Sequence, residues 1–287
     1  MASKNIDVVA FNSSSEYTQD SLIIAVKQEL AKRKRIPTIL VFPELALGRT
    51  ILTRKQLREF LFRLNGVLAR HKKAFVFMSL LREMRVKDLP FVNAGYIVTP
   101  DRKKPWMDYP KIARWGGDGE AKRPTGFDLG VIQQLSLRKA RGEVLKQRLN
   151  AIASRWIRVA NLTKNFPSIF VNGVEFQLRV CADSCRHEGA PKGISESAHK
   201  PAVVIVPAKN LIQDDIDFMS WRRKIGPKAT MVVVDGGFKN TRVLSHETGT
   251  RVHQEGKLQI HNKVRLSNTN PSQPIKKRLF GFFRRGR

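Results

Sequence analysis

Cysteines and long apolar runs are both scarce in this sequence. Among its 287 residues the only cysteines are Cys181 and Cys185, which excludes a disulfide framework of the kind that small secreted proteins depend on. No apolar run approaches the ~18 residues that a membrane-spanning helix requires. Lys4 and Asp7 interrupt the apolar character of the first residues, which argues against a signal peptide. We therefore expect a cytoplasmic protein.

Acidic residues are scarce too, with 24 Asp and Glu against 53 Lys and Arg, and the formal net charge is +29. Folding needs no such excess, and mutual repulsion of the cations opposes it. The excess therefore indicates a polyanionic partner, either nucleic acid or an anionic membrane surface. A generally basic proteome in the source of the protein is the alternative explanation. The histidines and cysteines lack the spacing of a zinc site, so we expect no metal.

The apolar pattern predicts an α/β domain, and a hydrophobic content of 41% is enough to bury its core. Ile6 to Phe11 predict a strand, Ser21 to Lys34 an amphipathic helix, and Ile36 to Phe42 a second strand. This order is that of a βαβ unit with parallel strands. Two later strands are joined by Asn172-Gly173, the favoured pair for a two-residue hairpin turn. The further predicted elements are helices at Thr53 to His71 and around Trp221, and strands at Ala74 to Leu81, Phe91 to Thr99, Ser168 to Val171, Glu175 to Cys181, Ala202 to Pro207 and Thr230 to Val234.

Two strongly basic regions stand apart from this pattern. Residues 128–165 predict a basic helical segment, because their apolar side chains recur at spacings of three and four residues. Beyond Leu266 the composition changes to Ser, Asn, Pro and Gln, which predicts a spacer leading to a basic tail. We therefore divide the chain into a domain at 1–266 and a tail at 267–287.

The end of this tail, Lys276 to Arg287, holds six cations and no acid, interleaved with aromatic residues. The pattern fits an anionic membrane surface or a nucleic-acid backbone. A solvated tail that keeps the protein soluble is the simpler alternative.

Reactive side chains follow three predicted strands or turns. They occur in Phe42-Pro43-Glu44, in Tyr109-Pro110-Lys111 and in Val180-Cys181-Ala182-Asp183. Taken singly, each has an ordinary explanation: a carboxylate after a strand often caps a helix, a cysteine often packs as a small hydrophobic residue, and a lysine is often a solvated surface charge. Their value lies in their order along the chain.

In that order the motifs resemble those of the nitrilase, or carbon–nitrogen hydrolase, superfamily. Its members carry Phe-Pro-Glu after an early strand, Tyr-x-Lys in the middle, and an apolar residue followed by Cys-x-Asp after a late strand. The flanking segments Phe91 to Ala94 and Val203 to Ala208 agree with the family, as does Glu188, seven positions after Cys181. The resemblance extends roughly from residue 5 to residue 260. Between Lys111 and Cys181 the chain is longer than is usual in the family, which implies that the basic helical segment at 128–165 is an insert.

The resemblance implies a two-sheet α-β-β-α sandwich, dimerisation through helices, and catalysis by Glu44, Lys111 and Cys181 without a cofactor. Relatives often have a second glutamate that holds the lysine or the substrate, which makes Glu120 a supporting candidate. The loop after the nucleophile departs from the family, because Cys185 stands where many relatives have arginine. Substrate choice therefore does not follow from the resemblance.

The chemistry of these three side chains fits amide hydrolysis. Amide carbons are poor electrophiles, and a thiolate is among the strongest nucleophiles available near neutral pH. A thiol of ordinary pKa, about 8.5, needs a nearby cation or base to lose its proton. Lys111 would supply the positive charge and stabilise the oxyanion, while Glu44 would carry the protons. We expect hydrolysis of a non-peptide carbon–nitrogen bond, in a small-molecule amide, through a thioester. The alternative is an inactive scaffold that binds nucleic acid or an anionic membrane.

Overall fold

Two stacked β-sheets and two helices make up the described part of the chain. The predicted α/β architecture with two sheets is confirmed. The basic insert at 128–165 and the helix predicted around Trp221 lie outside the described residues. The computed structural model describes residues 5–11, 17–86, 89–111, 166–181, 203–209, 229–237, 239–245, 249–253, 257–261 and 263–269.

The described helices and strands follow one another as strand, helix and strand at the start, then mainly as strands. Their bounds in chain order are β1 (Ile6–Phe11), α1 (Gln19–Lys32), β2 (Thr38–Val41), β3 (Ile51–Leu52), α2 (Arg54–Leu68), β4 (Ala74–Val86), β5 (Leu89–Val98), β6 (Trp106–Pro110), β7 (Ser168–Val171), β8 (Val174–Leu178), β9 (Val203–Ala208), β10 (Thr230–Asp235), β11 (Asn240–Ser245), β12 (Gly249–His253), β13 (Lys257–His261) and β14 (Val264–Thr269).

Among these residues the first sheet has eight strands, in the order β13-β14-β1-β2-β4-β5-β6 with β3 beside β4. Strands β14, β1, β2 and β4 run parallel, as the βαβ pattern predicts. The second sheet has six described strands, in the order β12-β11-β10-β9-β8-β7. Its hairpin β7–β8 turns at Asn172 and Gly173, whose φ values of 49° and 80° are those of the predicted two-residue turn.

Side chains of the first sheet alternate between two cores. On β1, Val8 and Ala10 face the second sheet, whereas Val9 and Phe11 face the helices. Both faces are therefore apolar, which explains the continuous apolar runs that mark parallel strands in the sequence. Each helix begins with a capping box, at Thr18 for α1 and at Thr53 for α2. No helix in the described ranges is both long and apolar enough to cross a membrane.

The last strand continues past the predicted domain boundary. Ser267, Asn268 and Thr269 pair with β1 in register, so the sheet includes three residues that were assigned to the tail. Strand β6 and the strands from β11 onward have no counterpart in the sequence prediction. They are short and carry polar residues, so their pairing with neighbouring strands decides their conformation more than their own sequence does.

Candidate functional site

Glu44 lies three residues beyond β2, at the end of the first sheet where its parallel strands finish. The amide of Phe42 still pairs with β4, and Leu45 then adopts a φ of 57°, which turns the chain. The amide of Leu45 donates to the hydroxyl of Ser79 over 3.0 Å. The amide of Glu44 donates to the carbonyl of Ala208, at the end of β9, over 3.2 Å. These bonds tie Glu44 to both sheets and fix where its side chain begins.

The side chain of Glu44 forms a buried ion pair with Lys111. Nζ of Lys111 lies 3.0 Å from Oε1 of Glu44, and the two side chains are only 2% and 6% exposed. Nδ2 of Asn93, on β5, donates to the same oxygen over 2.8 Å. The amide of Lys111 in turn donates to the carbonyl of Asn93. The structure therefore brings together Glu44 and Lys111, two of the predicted site residues. Both contact Asn93, which the sequence predicts only as part of a strand.

Both side-chain bonds to Glu44 use Oε1. Within the described part of the chain no donor reaches Oε2, so this oxygen remains available to exchange a proton. Oδ1 of Asn93 is likewise buried without a described partner. Removing an ion pair from water costs more than its attraction returns unless further hydrogen bonds complete it. A buried pair of this kind is therefore weak evidence for a stabilising role.

Cys181 lies three residues beyond β8 and is 2% exposed. Its φ of 46° falls in the left-handed region, which costs a non-glycine residue roughly 1–2 kcal/mol. The preceding amide, of Val180, donates to the hydroxyl of Tyr109, two residues before Lys111. The backbone that carries Cys181 is thus bonded to β6, the strand that Lys111 directly follows. Strain held in place by a neighbouring hydrogen bond is a common feature of nucleophile positions.

Gly95 allows this close approach of the two sheets. A Cβ at this position would lie 2.6 Å from Cε1 of Tyr109 and 2.9 Å from Cγ2 of Val180. Gly95 lies two residues from Asn93 on β5, and so on the same face of the strand.

Tyr96 lies on the opposite face of β5, where burial raises the pKa of its hydroxyl well above the usual range. That group is therefore neutral at all ordinary pH values.

Gly95→Ala is expected to lower the free energy of unfolding by about 1–3 kcal/mol, because the added methyl group must push both Tyr109 and Val180 aside. Thermal unfolding monitored by circular dichroism measures the effect. Gly66→Ala is the matched control, since a Cβ at this α2 position meets nothing within 4 Å and alanine favours the helix. Equal melting temperatures for the two variants would contradict the tight packing at Gly95.

The other predicted site residues are not covered by the structure. Glu120, Cys185 and Glu188 lie outside the described residues. Sequence reasoning missed Asn93 as a partner of Glu44, although a polar residue inside an apolar strand was a usable signal. It also missed the hydroxyl of Tyr109 as an acceptor, which no local pattern indicates, because its donor is 71 residues away in the chain.

Solved structures of similar fold include glutamine-dependent NAD+ synthetases and an N-terminal amidase. The synthetase from Acinetobacter baumannii is 14% identical with a TM-score of 0.45, over 79% of this chain and 38% of that one. The synthetase from Cytophaga hutchinsonii is 12% identical with a TM-score of 0.45, over 85% and 40%. The N-terminal amidase with a Gln-Val peptide is 10% identical with a TM-score of 0.36, over 70% and 47%.

The chain thus spans about two fifths of the length of each synthetase and just under half of the amidase. No protein-family model and no curated protein matches the sequence. At these identities and TM-scores, the activity has to be inferred from the geometry of the site itself.

Proposed function

We propose that this protein is a cysteine-dependent hydrolase of a non-peptide carbon–nitrogen bond, with a small-molecule amide as substrate. The buried pair of Glu44 and Lys111 carries the proposal. It places a carboxylate with one available oxygen beside a cation. Both groups are buried, and the low dielectric there strengthens their electrostatic interactions. The hydrogen bond from Val180 to Tyr109 ties the segment of Cys181 to the same region.

In the first half of the reaction, Glu44 takes the proton of the Cys181 thiol and the sulfur attacks the amide carbon. A carbon–sulfur bond forms, and the carbonyl electrons move to oxygen. Lys111 stabilises this oxyanion, which is the charge that develops in the transition state. Protonated Glu44 then gives its proton to the leaving nitrogen as the carbon–nitrogen bond breaks. Ammonia or an amine departs, and the acyl group stays on Cys181 as a thioester.

In the second half, water replaces the departed amine. Glu44 accepts a proton from this water, which attacks the thioester carbon. The carbon–sulfur bond breaks, the proton returns to sulfur, and a carboxylic acid leaves. No cofactor is needed, because every proton and electron pair is supplied by the substrate, water and three side chains. Asn93 would orient Glu44 throughout, and its Oδ1 is available to accept a bond from the substrate. We assign Glu120 a supporting role, holding Lys111 or the substrate.

A panel of small primary amides tests the proposal by release of ammonium. The wild type should release ammonium from at least one amide, and hydroxylamine should divert the thioester to a hydroxamate. Cys181→Ala should abolish both products, whereas Cys185→Ala should retain them. Hydrolysis that survives Cys181→Ala would overturn the thioester route.

Alkylation with iodoacetamide should label Cys181 faster than Cys185, by about tenfold or more, because thiolate reactivity rises near a cation. Peptide mass spectrometry measures both rates in one sample. Lys111→Met should slow the labelling of Cys181 and leave that of Cys185 unchanged. Preferential labelling of Cys185 in the wild type would contradict the assignment of the nucleophile.

The competing proposal is a nitrilase-like scaffold without activity that binds nucleic acid or an anionic membrane. The net charge of +29 favours it, and the basic tail and the insert at 128–165 are its proposed contacts. A homodimer is compatible with either function. The two proposals separate on whether amide hydrolysis depends on Cys181.

Removal of the tail should weaken polyanion binding without affecting hydrolysis. Because β14 continues to Thr269, the truncated chain should end there and not at Leu266. The loss of six cations should reduce the salt dependence of duplex binding by about 0.9 in the log–log slope for each lost phosphate contact. Binding to a labelled duplex and to anionic vesicles, each at several salt concentrations, measures this. Unchanged affinity for both would leave the tail as a solubility feature.

A further inference from the structure

A second charged feature lies at the opposite end of the first sheet from Glu44. A groove of about 500 Å³, here called the basic groove, opens where α1 leads into β2 and α2 leads into β4. Two segments line it, 33–36 and 70–73, together with a few apolar residues. Five cations on these segments are exposed to solvent: Lys34, Arg35, Arg70, Lys72 and Lys73.

The backbone holds the two lining segments in fixed positions. The amide of Thr38 donates to the carbonyl of Lys73 over 3.0 Å, and Thr38 pairs with Ala74 as β2 and β4 begin. Within the first segment the amide of Ile36 donates to the carbonyl of Arg33. The cations of the basic groove therefore project from an ordered framework, which lowers the entropy lost when they bind a ligand.

Internal ion pairs do not neutralise these charges. Within the described part of the chain, Arg33 pairs with Asp7 and Glu29, but no salt bridge reaches the five exposed cations. The helix dipole accounts at most for Lys34 and Arg70, which directly follow the C-cap residues of α1 and α2, since its effect falls off within about one turn. The last turn of α1 contains Lys32 and that of α2 contains no basic residue. The five cations therefore repel one another, and an anionic ligand would relieve this repulsion.

Further cations continue the same end of the sheet. Lys263 precedes β14, and the exposed residues 102–104 follow β5. Both lie at the same end of the sheet as the basic groove, because β14 is parallel and β5 antiparallel to the strands between them. From β14 to β5 there are four strand spacings of about 4.8 Å, or roughly 19 Å. In the described segments at this end of the sheet (33–36, 70–73, 101–104 and 263), the only exposed acidic residue is Asp101. Roughly six phosphates of one nucleic-acid strand occupy that distance along a duplex axis.

We propose that the basic groove binds the phosphate backbone of a nucleic-acid duplex. No Phe, Tyr or Trp is among the described residues that line it, so it lacks both a platform for stacking unpaired bases and the aromatic anchors of a membrane surface. Contacts of Lys and Arg to phosphate carry no sequence information, so binding is expected to be sequence-independent. This inference does not rest on the proposed hydrolase activity.

The basic groove and the candidate active site are well separated. Thr38 begins β2 at the groove, and Glu44 lies six residues further along the same nearly extended segment, roughly 20 Å away. A duplex bound in the groove would therefore leave Glu44 and Lys111 uncovered. Neutralising the groove should not change amide hydrolysis.

A charge-neutralised variant of the full chain tests the proposal. It replaces the five groove cations with glutamine (Lys34→Gln, Arg35→Gln, Arg70→Gln, Lys72→Gln and Lys73→Gln). The matched control replaces three lysines and two arginines that are also exposed but lie away from the groove (Lys27→Gln, Arg54→Gln, Lys55→Gln, Arg58→Gln and Lys257→Gln). Both variants lose the same net charge. Equal circular dichroism spectra and melting temperatures establish that both are folded.

Binding to a labelled DNA duplex of about 20 base pairs is measured at several salt concentrations, with an RNA duplex and anionic vesicles as further arms. The groove variant should bind either duplex about tenfold more weakly or worse, with a salt slope reduced by about 0.9 for each lost contact. The control should keep most of the wild-type affinity and slope. Equal losses in the two variants would overturn the proposal in favour of a net-charge effect. Unchanged duplex binding with weakened vesicle binding would overturn it in favour of a membrane.

Discussion

Glu44→Gln is expected to lower the turnover of amide hydrolysis by about two to four powers of ten, the usual contribution of general acid–base catalysis. Glutamine keeps an oxygen that can accept the bonds from Asn93 and Lys111, so the local packing should survive. It cannot carry a proton between thiol, amine and water. The loss should therefore fall on turnover and leave substrate binding nearly unchanged.

The control for this variant is Glu29→Gln. Glu29 is as buried as Glu44 and is also ion-paired, with Lys32 and Arg33, but it lies on α1 near the basic groove. Its substitution tests what the loss of a buried carboxylate does to stability alone. Turnover should fall in Glu44→Gln and not in Glu29→Gln. Unchanged turnover in Glu44→Gln at an unchanged melting temperature would reduce Glu44 to a structural carboxylate.

Lys111→Met is expected to destabilise the fold by about 3–5 kcal/mol, because it leaves the carboxylate of Glu44 buried without a counter-charge. Methionine has a similar length and fills much of the same space, so little of the loss should come from packing. Urea denaturation gives the free energy of unfolding. The same variant should lose hydrolysis, since the oxyanion then lacks its cation.

The double variant Glu44→Gln and Lys111→Met separates stability from chemistry. Removing both charges should recover much of the stability, because neither member of this pair is then left buried without the other. Hydrolysis should remain lost. A coupling energy near zero in this cycle would contradict the close contact between the two side chains. Recovery of both stability and hydrolysis would contradict their catalytic roles.

The fold was predictable from the sequence where local pattern and tertiary environment agree. Strand β1 matches its prediction at both ends, and α1 and α2 lie within a few residues of theirs. Their apolar runs and threonine caps act locally, so the sequence carries the signal directly. The hairpin at Asn172 and Gly173 was predictable for the same reason.

The sequence by itself determined the class of the fold, the three motifs and the excess of positive charge. Only the tertiary structure decided that Glu44 and Lys111, which are 67 residues apart, form a buried pair on Asn93. It also decided that the cations at positions 34, 35, 70, 72 and 73 share one groove, because β2 and β4 begin side by side. The physical reason is that strand pairing brings together residues that are distant in the chain. A sequence pattern reflects only the interactions between residues that are close in the chain.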